Sequence, residues 1–70
     1  MKKLQNQRVE ITIGNSLPAI FVGEVLYEGL GENGAGKKVR EIKLRGYWEN
    51  KNQKMTITFS SPLCKWKKFL

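Results

Sequence analysis

Two groups of residues in this 70-residue chain have types and spacing that chemistry could use. The first is GENGAGKK, Gly31 to Lys38, which nearly spells the phosphate-cradling pattern G-x-x-x-x-G-K-[ST]. Lys38 stands where a hydroxyl should hold Mg²⁺, and the chain has no Asp to complete a metal site. A working loop of this kind also leads from a buried parallel strand into a helix N-terminus. Here it leads into a β-branched strand, so nucleotide hydrolysis is not expected. What survives is a flexible hairpin loop, or at most a glycine-rich turn that holds a phosphate with Lys37 and Lys38.

The second group is basic. Lys43, Arg45 and Tyr47 alternate, with Lys37, Lys38 and Arg40 ahead of them. On a strand this presents side chains at intervals of about 7 Å, close to the repeat of a nucleic-acid backbone. Near the C-terminus, CKWKKFL interleaves Lys65, Lys67 and Lys68 with Trp66. Phosphate contacts from such cations, with Tyr47 or Trp66 as a stacking platform, are how small sheets bind single strands. The bland alternative is a basic sheet face that is merely soluble and blocks edge pairing. For the tail, the alternative is that Trp66 folds back, because a core this small can least leave such groups wet.

Charge distribution favours a dedicated surface. The chain carries +7, with 13 Lys and Arg against 6 Glu. Residues 1–36 hold three basic and four acidic groups, whereas residues 37–70 hold ten basic and two acidic. An acidic partner follows, whether nucleic acid, an anionic membrane or an acidic protein surface. Catalytic groups are scarce: without His there is no Ser-His-Asp or Cys-His arrangement and no general base poised near neutrality. One Cys with no His and no Asp also excludes the familiar zinc and calcium sites. No enzyme, metal or cofactor is expected. Glu24 shares its parity with Ile20, Val22 and Leu26, so it is expected at a strand edge or half-buried beside a cation.

The elements that must position these groups read as strands in one small domain, residues 1–70. RVEITI alternates strictly, and GNSLP turns the chain. AIFVGEVLY is apolar on both parities and is expected to be a long strand bent near Gly23, with Phe21, Val25 and Tyr27 together on one side. EGLGENGAG is expected to be a loop. In KKVREIKLRGYW, the residues Ile42, Leu44, Gly46 and Trp48 share a face, and a bulge near Arg40 and Glu41 would bring Val39 into phase. ENKNQ is a polar hairpin loop, and KMTITFS alternates with Met55, Ile57 and Phe59 inward. SPLCKWKKFL is either a short helix, with Pro62 at its first position and Leu63, Trp66 and Leu70 at helical spacing, or a closing strand.

The expected fold is therefore all-β: an antiparallel meander curled into a small barrel or half-barrel of SH3-like, Sm-like or OB-like type, with or without a C-terminal helix. VEITIGNSLPAIFVGEVLYEG resembles the opening of an Sm-like sheet over less than a third of the chain. It lacks the Asp and Asn expected after the second strand, and it names no family.

The opening MKKLQNQ has no apolar stretch of signal-peptide length, and no run approaches a membrane span. With a lone Cys, a soluble cytoplasmic protein is expected. The functional expectation is a non-enzymatic accessory protein that binds nucleic acid through phosphate contacts with low sequence specificity, or one that docks on an acidic protein. Both leave room for homo-oligomers through an open edge or through Trp48 and Trp66.

Overall fold

A computed structural model of the chain describes residues 7–69. The opening lysines Lys2 and Lys3 and the terminal Leu70 lie outside the described residues. Five strands follow one another: β1 (Gln7–Ile13), β2 (Ala19–Glu32), β3 (Lys38–Trp48), β4 (Met55–Ser60) and β5 (Cys64–Phe69). They form one open antiparallel sheet in the order β4-β3-β2-β1-β5. No helix occurs among the described residues, and hence none long and apolar enough to cross a membrane.

The alternation of β1, β3 and β4 places one parity of each strand on a common face. Val9, Ile11, Phe21, Ile42, Leu44, Phe59 and Cys64 are buried there, with Val25, Trp48, Met55, Ile57 and Trp66 packed against them. A flat single layer would leave that face in water. Val9, Phe21, Ile42 and Leu44 have no exposed area, so the sheet must curl over its own apolar side. Each such side chain contributes roughly 1.5–3 kcal/mol by leaving water. Trp48 closes the packing, with Phe21 and Phe59 meeting it edge to face at centroid distances of 5.2 and 5.9 Å.

Three local expectations change. The glycine-rich stretch after Tyr27 is strand as far as Glu32, because Glu28 to Glu32 pair residue by residue with Ile42 to Lys38. Ladder bonds from β3 outweigh the weak strand propensity of Gly29 and Gly31. The bulge lies on β2 between Val25 and Tyr27 rather than near Arg40, and Val39 stays on the outer parity opposite Gly31. Phe21 and Val25 therefore point inward while Tyr27 points outward.

The C-terminal segment is a strand, not a helix. Pro62 sits in the turn after β4, and β5 pairs along β1 from Ile13↔Cys64 to Arg8↔Phe69. An unpaired β1 edge beside the core offers a full set of ladder bonds, which a six-residue helix cannot match.

Candidate nucleic-acid interface

The outer face of the sheet is built by the parity opposite to the core. On β3 it carries Glu41, Lys43, Arg45 and Tyr47, while Ile42, Leu44 and Gly46 are buried on the other side. Side chains of directly paired residues lie on one face about 5 Å apart, so the register gives each cation its neighbours. Lys43 stands between Tyr27 on β2 and Thr58 on β4; Arg45 stands between Glu24 and Thr56; Tyr47 stands beside Val22. Glu24 is half-buried beside a basic partner, as its parity suggested.

Tyr27 is the member of this surface that sequence reasoning missed. It is 49% exposed. Its hydroxyl donates to the Leu30 carbonyl at 3.2 Å, and the ring reaches across Gly29, where a Cβ would collide with it. The missing side chain at Gly29 thus leaves the space in which Tyr27 lies along the outer face. The signal available was the run of glycines next to an aromatic, but only the bulge at Leu26 turns Tyr27 outward.

The ten basic and aromatic residues expected to act together fall into three groups. Lys43, Arg45 and Tyr47 share the outer face as expected. Lys65 and Lys67 are also outward, opposite Thr12 and Glu10 on β1. Two strands separate them from β3, on the order of 15 Å along the sheet, and Glu10 lies between.

Arg40, Trp66 and Lys68 form the second group, and here the expected site is corrected. Arg40 and Lys68 pair with Leu30 and Val9, so they have the parity of the core rather than of Lys43 and Arg45. They converge on Glu28. Lys68 Nζ is 2.6 Å from Glu28 Oε1, Trp66 Nε1 donates to Oε2 at 3.2 Å, and Arg40 Nη2 lies 3.8 Å from Oε2. Arg40 also stands over the Trp66 ring, 5.3 Å from its centroid. The Lys68 hydrogen bond, above all, holds the Glu28 carboxyl below the ordinary glutamate range; burial opposes this, and Trp66 and the charges of Lys68 and Arg40 add to it. The cluster joins β5 to the far halves of β2 and β3, strands that are not its ladder neighbours. Trp66 is folded back, and these three side chains serve the curl.

Lys37 and Lys38 make the third group, at the β2–β3 turn. Lys38 pairs with Glu32 at 3.6 Å. The turn closes on itself: Ala35 and Lys37 donate their amides to Asn33 Oδ1, at 2.8 and 3.0 Å, and Gly36 donates to the Asn33 carbonyl. These amides are therefore not turned toward a phosphate. Gly36 adopts φ of 78°, the left-handed conformation that such a turn requires of glycine.

Glu28, Glu32 and Glu49 take up four cations, the last through Arg8. Among the described residues, Lys37, Lys43, Arg45, Lys51, Lys54, Lys65 and Lys67 enter no ion pair. Lys51, in the expected polar loop ENKNQ, and Lys54, expected to open the strand KMTITFS, both lie in the β3–β4 loop. Comparison with protein families, with curated proteins and with solved structures yields no match to this chain.

Proposed function

We propose that the protein is a non-enzymatic, small basic β-barrel or half-barrel that binds nucleic acid through phosphate contacts with low sequence specificity. One observation carries this reading: Lys43 and Arg45, outside any ion pair among the described residues, lie on an exposed face with Tyr47 next to Arg45 along β3 and Tyr27 across from Lys43 on β2. Cations at strand spacing would track a phosphate backbone while the tyrosines stack on bases, which is a sequence-tolerant mode. Thr56 and Thr58 add hydroxyl donors beside the same two cations. Lys65 and Lys67 extend the reach at the far edge, and Lys37 does so at the β2–β3 turn. The absence of His and Asp supports a binding rather than a catalytic role.

The test is a titration of labelled single-stranded and duplex oligonucleotides across a salt series. Binding at low salt that weakens linearly in log–log form as salt rises is expected. No binding at low salt would overturn the proposal, and a salt-insensitive affinity would remove the phosphate mechanism.

A second reading has its own support. Glu24 and Glu41 share the outer face with Lys43 and Arg45, so the positive stripe is interrupted. Mixed charge of this kind suits an accessory or inhibitor protein that docks on an acidic protein surface. A pull-down whose partner persists after nuclease treatment would favour this reading.

A further inference from the structure

At the end of the β2–β3 ribbon away from Glu28, the space beside the core opens as a cleft of about 340 Å³. Its walls are Ile11, Ile13, Leu17, Ala19 and Trp48, and its charged lining residue is Lys51. Leu17 is 87% exposed and Ile13 41%, whereas Ile11 is buried and the Trp48 ring is fixed by Phe21 and Phe59. A rigid apolar floor with two wet aliphatic side chains at its mouth is the arrangement that gains most from receiving an apolar group. Its volume suits one large side chain.

The charges around it select the occupant. Lys51 forms no ion pair among the described residues, and Arg8 holds Glu49, the carboxylate of the same loop. The mouth is thus positive. A second copy seated symmetrically on the same cleft would set Lys51 against its own counterpart. A nucleobase would find mainly aliphatic walls, and the one aromatic ring is already held edge to face by two phenylalanines.

We propose that this cleft is a docking site for a large apolar side chain flanked by Asp or Glu in an extended segment of a partner protein. The site is separate from the outer face of Lys43 and Arg45, so it stands or falls independently of nucleic-acid binding.

The experiment is a ¹⁵N- and methyl-detected NMR titration of the full chain with an eleven-residue peptide, capped at both ends, of alternating Glu and Ser around one central Leu. Shifts confined to Ile13, Leu17, Ala19, the Trp48 indole and Lys51 are expected. Replacing the central Leu by Ala should weaken binding at least about tenfold. Leu17→Ser and Lys51→Glu should each weaken it several-fold, and Leu17 is exposed enough that the fold should tolerate its change. A peptide with Lys in place of Glu should not bind. Shifts centred on Lys43 and Arg45, or equal binding of the Ala peptide, would overturn the proposal. Unchanged affinity in Leu17→Ser would do the same. So would concentration-dependent shifts of these residues in the free protein, which would assign the cleft to self-association. Shifts of the cleft residues with oligothymidylate instead of the peptide would assign it to a base.

Discussion

Gly23 and Gly46 face each other as partners across β2 and β3 on the buried side of the sheet, so closely that neither position has room for a Cβ. A methyl on Gly23 would strike the Arg45 carbonyl, and one on Gly46 would strike the Val22 carbonyl, both of them backbone atoms that cannot swing aside. Here the two backbones approach closely beside the core. Gly46→Ala is therefore expected to destabilise the fold by about 2–3 kcal/mol through overpacking, a fall in Tm of roughly 10 °C or more. Gly34→Ala, in a turn where an added Cβ meets nothing within 4 Å, is the control and should change stability by no more than about 0.5 kcal/mol. Thermal melts followed by far-UV circular dichroism compare the two.

The Glu28 cluster makes the curl sensitive to acid. The folded carboxyl has a lowered pKa, so the unfolded chain binds its proton more readily. The stabilisation is complete above the unfolded value, about 4.3, and is lost as pH falls through the lower folded one. With the carboxylate partly in solvent, an effect of about 1 kcal/mol or less is expected. Urea melts at pH 7, 5, 4 and 3 should show Glu28→Gln less stable than the parent at neutral pH, with the gap narrowing toward pH 3. A constant gap would mean that the charge of Glu28 is not what β5 holds on to.

Proposed phosphate contacts and the Glu28 cluster that ties β5 to β2 and β3 are separable by mutation. Lys43→Ala with Arg45→Ala should weaken single-strand binding and reduce the log–log salt slope by about 1.4, since each phosphate contact contributes about 0.7 on single strands. Arg40→Ala should lower stability and leave the slope nearly unchanged, because Arg40 faces Glu28 and Trp66. Fluorescence anisotropy at four salt concentrations, paired with melts, makes the distinction.

Tyr27 should behave as a stacking platform. Tyr27→Ala is expected to cost about 1–3 kcal/mol of binding, whereas Tyr27→Phe keeps the ring and loses only the hydrogen bond to Leu30. The phenylalanine variant should therefore bind almost as the parent does at every salt concentration. Equal losses in both variants would point to the hydroxyl and to local structure instead of the ring.

Much of this architecture was legible because period-2 alternation in RVEITI, EIKLRGYW and MTITFS commits each residue to a face. Where one extra residue had to be absorbed, that logic stopped. A bulge at Leu26 and a bulge at Arg40 both bring part of the ribbon into phase, and only the pairing of β2 with β3 decides between them. The consequence reaches the site: the choice puts Tyr27 outside and turns Arg40 to the side of the core. In CKWKKF, helical and strand spacing both place Trp66 inward, so the segment was undecidable from its own residues. The free edge of β1 resolved it, and with it came the convergence of Lys68 and Trp66 on Glu28, a carboxylate 40 residues away from Lys68. Contacts of that kind arise from the curl and leave no local periodicity.

The turn at Asn33 is the last element whose role can be tested directly. Its side-chain oxygen accepts from both Ala35 and Lys37, so the motif that resembles a phosphate loop spends its donors on itself. Asn33→Ala should cost about 1 kcal/mol, the net value of the lost hydrogen bonds, and should speed hydrogen exchange at the amides of Ala35 and Lys37 without slowing or speeding that of Ile42 or Leu44. In the parent protein these two amides should not shift when inorganic phosphate is added to millimolar concentration at constant ionic strength. If they do, the Asn33 oxygen is a replaceable partner and the turn is a phosphate cradle after all. If they do not, the two lysines that follow act as surface charge at the end of the β2–β3 ribbon. Lys37→Ala with Lys38→Ala should then reduce the salt slope of oligonucleotide binding by less than the Lys43 and Arg45 pair does, because Lys38 already has Glu32 as its partner.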